Sequence, residues 1–135
     1  MNILYDEEID GALSRVDRAD LIADLRRAVP DLFILHREED LHPYECDGLA
    51  AYRTMPLLPV LPERVEQVEA ILRICHARRV PVVARGAGTG LSGGALPLAQ
   101  GVLLVMARLA FGMHSEKYIQ TRVTNVVGYI RRQIF

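Results

Sequence analysis

A glycine-rich segment between two apolar runs is the feature that most constrains what this chain can form. Residues 85–94 read RGAGTGLSGG, with five glycines in ten positions. Glycine permits backbone conformations that turn successive N–H groups toward one point, and such a nest binds anions. Thr89 and Ser92 add hydroxyl donors and Arg85 adds a positive charge. The segment therefore predicts a loop that binds a diphosphate group.

Apolar runs on both sides of this loop predict strands. Residues 80–84 precede the loop and residues 101–106 follow it, and both runs are short and rich in valine or leucine. A third run, 57–61, is also a candidate strand. Prolines lie within it and beside it, so we expect an edge strand or an extended connector, because proline cannot donate to a ladder. These prolines are Pro56, Pro59 and Pro62.

Two helices are predicted before the loop. Residues 18–29 carry apolar side chains at helical spacing and stop at Pro30, whereas 36–52 is polar and irregular after a short extended piece at 33–35. The second helix follows Pro62, and strand, helix and strand at this spacing predict a βαβ unit with parallel strands. Its predicted apolar face contains Val65, Val68, Ile71, Leu72 and Cys75, and its polar face Arg64, Glu66, Gln67, Arg73 and His76.

Three kinds of glycine-rich phosphate site fit the loop in part. Residues 88–93 match the dinucleotide pattern G-x-G-x-x-G, but Pro97 and Gly101 interrupt the helix that should open there, and no ribose-binding acid follows. A Rossmann-type NAD site is thus the weaker alternative. A P-loop needs Lys-Ser or Lys-Thr where Gly94 and Ala95 stand. A loop between two strands, with the preceding helix packed on the sheet, fits the residues best.

Residues 80–97, VPVVARGAGTGLSGGALP, resemble the FAD-binding segment of PCMH-type flavoproteins, the vanillyl-alcohol oxidase superfamily. The stretches ECDGLAAYR at 45–53 and PVLP at 59–62 resemble what precedes the loop there. Within this superfamily the likeness is to the FAD-linked D subunits of glycolate oxidases and to D-lactate dehydrogenases. It covers about residues 4–109 and is specific in the loop.

This resemblance implies an α/β (α+β) fold, the N-terminal subdomain of a PCMH-type FAD-binding domain, with a small, mainly parallel sheet and packed helices. It implies FAD as the cofactor. Family members oxidise a 2-hydroxy acid by passing a hydride to the flavin, and their electrons leave to iron–sulfur partner subunits or a membrane acceptor. The residues expected to hold the FAD diphosphate, mostly through backbone N–H groups, are Arg85, Gly86, Ala87, Gly88, Thr89, Gly90, Leu91, Ser92 and Gly93.

The resemblance also divides the chain. Residues 1–55 form a helical and irregular lead-in, 56–109 the first part of the FAD-binding domain, and 110–135 a divergent tail. All seven prolines precede the tail, and the only lysine, Lys117, lies in it. Family members are several times longer, and their substrate-binding histidines and arginines follow, so no catalytic residue is predicted here.

The expected function is accordingly the truncated FAD-binding portion of a glycolate-oxidase-type dehydrogenase, produced by a frameshift, an early stop or a gene fragment. The alternative is an inactive remnant or interaction module that binds no cofactor.

Composition excludes several other functions. The net charge of −1 argues against a nucleic-acid partner. The longest apolar run, 102–107, is too short to span a membrane, and the acidic start lacks a signal peptide. A cytoplasmic protein that meets a membrane only through partner subunits is expected. Cys46 and Cys75 lack the spacing of a metal site, so reduced thiols and no metal are predicted.

Overall fold

The computed structural model describes residues 16–46, 53–86 and 96–111. Its elements in chain order are helix α1 (Arg18–Ala28), strand β1 (Phe33–Ile34), helix α2 (Glu38–Leu41), a 3-10 helix (His42–Tyr44), strand β2 (Leu58–Leu61), helix α3 (Val65–Ala77), strand β3 (Val82–Arg85), strand β4 (Val102–Val105) and helix α4 (Ala107–Phe111).

One sheet of four strands organises the described residues, in the order β1-β2-β4-β3. Strand β4 is parallel to both β2 and β3, and β1 is antiparallel to β2. Helix α3 thus connects β2 to β3 across the place that β4 fills. This arrangement confirms the predicted α/β fold with a small, mainly parallel sheet, and it puts the carboxyl ends of β2, β3 and β4 at one edge.

Strand β2 is not the edge strand that its prolines predicted, since it lies between β1 and β4. The Pro59 carbonyl accepts from the Leu35 amide at 3.0 Å. In an antiparallel pair the N–H and C=O of one residue face the same neighbour, so the donor that Pro59 lacks faces the β1 side. Strand β1 ends at Ile34, just before this position. Pro59 therefore removes no hydrogen-bond donor from the ladder between β2 and β4.

Strand β4 is buried along its whole length because both faces of the sheet are covered. On one face Val102 and Leu104 pack with Leu21 and Leu25 of α1 and with α3. On the other face Leu103 and Val105 pack with Leu61, and Leu35, Tyr44, Val83 and Ala107 lie against this smaller cluster. A strand buried on two faces reads as a continuous apolar run, which explains why the sequence signal at 101–106 was clear.

Helix α3 packs its apolar side on the sheet much as its spacing predicted. Val68 and Ile71 are fully buried, and Cys75 is nearly so. Gln67 was predicted to lie on the polar face, and this was wrong, because it is only 3% exposed. Its Oε1 accepts from the Glu63 amide at 2.7 Å and the Arg64 amide at 3.3 Å. Gln67 therefore caps the amino-terminal end of α3 with a buried side chain.

Helix α1 covers one face of the sheet beside α3. Asp17 caps it, since its Oδ1 accepts from the amides of Ala19 at 2.8 Å and Asp20 at 3.1 Å. Farther along, Asp24 accepts a hydrogen bond at 2.7 Å from Nε of Arg78, the residue that follows α3. The two helices are thus joined by an apolar contact and by an ion pair.

The segment predicted to be irregular contains two short helical pieces, α2 and the 3-10 helix. Their span is too short for a periodic pattern, and Pro43 falls in the first turn of the 3-10 helix, where its missing N–H does no harm. Leu41 is buried and anchors this segment. Within the ranges described, no helix is long and apolar enough to cross a membrane.

Candidate functional site

The candidate site lies where the parallel strands β3 and β4 end. Arg85 is the last residue of β3 and is in register with Val105 of β4. Its carbonyl accepts from the Met106 amide at 2.8 Å. The glycine-rich segment begins immediately afterwards, at Gly86. The predicted diphosphate loop therefore leaves the sheet from a strand end that is fixed to its neighbour.

The Arg85 side chain is buried at this strand end, with only 9% of the residue exposed. One terminal nitrogen donates to the Cys46 carbonyl at 2.9 Å, and Cζ lies 5.4 Å from the centroid of the Tyr44 ring. The buried Nε has no hydrogen-bond partner among the described residues. No carboxylate in that part of the chain pairs with this guanidinium. A buried positive charge and a spare donor thus mark the start of the loop.

Lead-in residues are held beside this arginine by Glu45. The Glu45 carbonyl accepts from the Thr54 amide at 2.7 Å, and its carboxylate accepts from Arg53 at 2.6 Å. His42 Nδ1 lies 3.7 Å from the same carboxylate. These contacts join residues 42–46 to residues 53–54, which lead into β2. The stretch before the loop is therefore part of the site.

Sequence reasoning did not find the contacts of Arg85 with Tyr44 and Cys46. Arg85 lies about forty positions after Tyr44 and Cys46 in the chain. Contacts over such a separation leave no periodic signal in one sequence. The one available signal was the resemblance of residues 45–53 to the stretch that precedes the loop in the flavoprotein family.

Gly86 has open space beside it. A Cβ built at this position would meet no atom of the described residues within 4 Å, and the Gly86 backbone is not in the left-handed region. Neither strain nor packing within the described chain requires a glycine there. The space is available to a ligand that approaches the backbone closely.

The remaining predicted loop residues lie outside the described residues, so their roles stay predictions. These are Ala87, Gly88, Thr89, Gly90, Leu91, Ser92 and Gly93. The two that are described, Arg85 and Gly86, fit an anionic diphosphate, because they combine a positive charge, an unused N–H donor and free space. The chemistry of this end of the loop therefore suits the FAD diphosphate.

Among the residues that the structure describes, the other reactive groups offer no competing centre. Burial raises the pKa of the Cys75 thiol to about 12, so at neutral pH it is a protonated core side chain rather than a nucleophile. Over the described ranges, no three His, Cys, Asp or Glu side chains are grouped as metal ligands would be.

Comparison with known families and structures identifies the fold and the cofactor class. The model of a family described as FAD binding domain matches residues 56–130, which is more than half of the chain. This match confirms the predicted family and FAD as its cofactor. It also takes in most of the segment 110–135, whose predicted divergence from the family stays a prediction.

Curated relatives carry the names of enzymes that act on 2-hydroxy acids. The chain is 68% identical over 108 residues to glycolate oxidase subunit GlcD of Escherichia coli K12, covering 80% of this chain and 22% of that protein. It is 49% identical over 45 residues to D-lactate dehydrogenase of Archaeoglobus fulgidus, covering 33% of this chain and 10% of that protein. The chain thus spans about a fifth or less of the length of these relatives.

A solved structure supports the same fold. The structure of p-cresol methylhydroxylase with substrate bound superposes with a TM-score of 0.54 and 19% identity, covering 67% of this chain and 18% of that one. At this identity the likeness concerns the fold alone, and it confirms the predicted PCMH-type architecture.

Proposed function

Since this chain belongs to the FAD-binding domain family, we propose that residues 85–93 bind the diphosphate of FAD, mainly through backbone N–H groups. The observation that carries this proposal is the buried Arg85 at the end of β3, which has no acidic partner among the described residues. A buried charge is costly unless it is paired, and a diphosphate at the adjacent loop would bring a negative charge to it.

The reaction proposed for the complete protein is oxidation of a 2-hydroxy acid. Glycolate and D-lactate, named in the relatives, both carry a hydroxyl beside a carboxylate. FAD supplies the hydride acceptor in this chemistry. The contribution of the present residues is to anchor the cofactor by its central diphosphate. Residues that bind the 2-hydroxy acid are proposed to lie in the remaining length of such proteins, and no catalytic residue is assigned in this chain.

We also propose that partner subunits assemble with the complete protein, because one relative is named as a glycolate oxidase subunit. The proposal that these partners carry iron–sulfur centres that accept electrons, and that the assembly lies in the cytoplasm, follows from the family resemblance alone. We also propose that residues 110–135 diverge from the family.

A second candidate function is a non-catalytic module that keeps the fold and binds no cofactor. It is favoured by one observation, the coverage of only 22% of the E. coli relative. A chain of that extent contributes only part of the contacts that a large dinucleotide makes with its protein.

An absorption spectrum separates the two candidates. The purified chain is incubated with excess FAD, desalted and scanned between about 350 and 500 nm, where flavins absorb. Flavin that stays with the protein supports the proposed function, and a colourless protein supports the module. Parallel proteolysis with FAD or NAD tests the Rossmann alternative, which predicts protection by NAD alone.

A further inference from the structure

We propose that Arg85 is a positioning residue that couples the lead-in to the diphosphate loop. We call the Arg85 guanidinium, the Tyr44 ring and the Cys46 carbonyl the lead-in clamp. In this proposal the clamp holds residues 42–46 against the end of β3, and FAD bound at the loop tightens it. The inference rests on the proposed FAD site, but the clamp itself can be tested without FAD.

The geometry of the clamp uses a property that arginine alone provides. The guanidinium is planar, so one edge donates to the Cys46 carbonyl at 2.9 Å while its carbon lies 5.4 Å from the Tyr44 ring centroid. Both partners precede β3 by about forty residues and belong to the segment that contains the 3-10 helix. A long side chain immobilised by two such contacts fixes the relative position of two distant segments.

The charge of the clamp is unusual among the described arginines. Six of them pair with a carboxylate, and all six are at least one-third exposed in their side chains: Arg27, Arg37, Arg53, Arg64, Arg78 and Arg108. Arg85 is buried, and its partners there are a neutral carbonyl and a ring. No carboxylate of the described residues pairs with this charge, and in the proposal an anion bound at the loop pairs with it and favours the clamped position.

Contacts of Glu45 extend the clamp beyond the segment 42–46. The Glu45 backbone and side chain bind Thr54 and Arg53, so the residues on both sides of 47–52 are tied to each other. Movement at Tyr44 and Cys46 is consequently transmitted to the chain that enters β2. The lead-in is thus a part of the cofactor site rather than an independent segment.

Cys46 reports on the clamp, because its own carbonyl is the acceptor. Cys46 is half-buried as a residue, whereas Cys75, the other cysteine of the chain, is buried and protonated. We expect maleimide to modify Cys46 at least about tenfold faster in Arg85→Met than in the wild type, since a lost hydrogen bond from a charged group loosens the segment by that factor or more. A Cys46→Ser variant is expected to lose this modification, which shows that the measured reaction occurs at Cys46. Equal rates in wild type and Arg85→Met would overturn the clamp.

The second arm of the experiment tests whether FAD bound at the loop tightens the clamp. Saturating FAD is expected to slow modification of wild-type Cys46 and to have little effect in Arg85→Met. If FAD binds, as judged by quenching of its fluorescence, but leaves the Cys46 rate unchanged, the coupling is refuted while the proposed function stands. If FAD does not bind at all, the proposed function fails, and the comparison without FAD still decides whether the clamp exists.

Conservative variants distinguish positioning from direct binding of phosphate by Arg85. Arg85→Lys keeps the charge but loses the planar contacts, so we expect it to bind FAD about tenfold more weakly (about 1.4 kcal/mol). Tyr44→Leu is expected to weaken FAD binding in the same direction, and Tyr44→Phe to restore it. Arg78→Met, which removes an arginine contact near the amino end of β3, serves as the matched control with unchanged FAD affinity. Wild-type affinity in both Arg85→Lys and Tyr44→Leu would contradict a positioning role.

Discussion

At the scale of single residues, Gly101 and Gly86 differ in what surrounds them. A Cβ at Gly101 would lie 3.0 Å from Leu98 Cβ and 3.1 Å from the Pro81 carbonyl oxygen, whereas at Gly86 it would meet open space. The Gly101 amide and carbonyl bond to Leu98 and Leu57, so the backbone is held on both sides. Gly101 therefore fits a close approach of two chain segments, and Gly86 leaves room for a ligand.

We predict that Gly101→Ala lowers the free energy of unfolding by about 1–3 kcal/mol, because the added methyl group forces the surrounding backbone to shift. Urea unfolding followed by circular dichroism measures the change. Gly86→Ala is the matched control, with an expected change within about 0.5 kcal/mol. Equal losses in the two variants would contradict this interpretation of the space around them.

Two aspartates make a second prediction at this scale. A hydrogen bond from Arg78 lowers the pKa of Asp24 below its usual 3.8, and one from Arg64 lowers the pKa of Asp31 in the same way. A carboxyl with a depressed folded-state pKa stabilises the fold above its unfolded-state pKa, and this contribution disappears as pH falls through the folded-state value.

We therefore expect the unfolding temperature to drop on acidification below about pH 4, and the drop to be shallower in the Asp24→Asn, Asp31→Asn double variant. Thermal unfolding at intervals between about pH 6 and about pH 2 measures both curves. If the unfolding temperature falls equally steeply with decreasing pH in wild type and double variant, these two ion pairs do not cause the pH dependence.

At the scale of elements, the start of α3 depends on one buried amide. Gln67 accepts from two backbone amides before the helix, and its Nε2 donates to Asp31 Oδ1 at 3.1 Å. We predict that Gln67→Ala destabilises the fold by about 1–3 kcal/mol, because two backbone donors in part-buried hydrogen bonds lose their acceptor. Glu66→Ala, an exposed neighbour in the same turn, should change stability by less than about 0.5 kcal/mol. Denaturant titration of both variants is the test, and similar losses would refute the capping role.

Elements with a regular pattern were predictable from sequence, and elements set by distant contacts were not. The apolar run of β4 and the spacing of Val68 and Ile71 in α3 each indicated the right structure because burial is periodic or continuous there. The prolines led to the wrong prediction that β2 is an edge strand or a connector, because a single sequence does not show which neighbouring strand Pro59 faces. Gln67 looked like a surface residue because its partner Asp31 lies 36 positions earlier.

The candidate site divides in the same way. The glycine content of residues 85–93 predicted the loop, and glycine content is a local signal in the sequence. The contacts of Arg85 with Tyr44 and Cys46 depend on the tertiary fold and became visible only with the structure. The sequence thus predicted the ligand class, and the structure added the segment that holds the loop's first residue in place.

At the scale of the whole molecule, we propose that the fold supports the loop that binds the central diphosphate of FAD. The sheet brings the ends of β3 and β4 together, two clusters of apolar side chains fix the sheet, and the lead-in packs against Arg85. A ligand that binds only the folded chain stabilises it by mass action. FAD at about one hundred times its dissociation constant should therefore raise the free energy of unfolding by about 2.7 kcal/mol. Thermal unfolding with and without FAD checks this, with NAD as the control.

The most direct test of the central claim is a titration of FAD with the purified chain, read by quenching of flavin fluorescence, in wild type and in a Gly88→Val, Gly90→Val double variant. Valine blocks close approach of the backbone to a diphosphate, while Gly11→Val places the same side chain outside the loop. We expect saturable binding of one FAD per chain in wild type and Gly11→Val, with affinity at least about tenfold lower in the double variant. Equal affinity in all three proteins, or no binding by wild type, would contradict it.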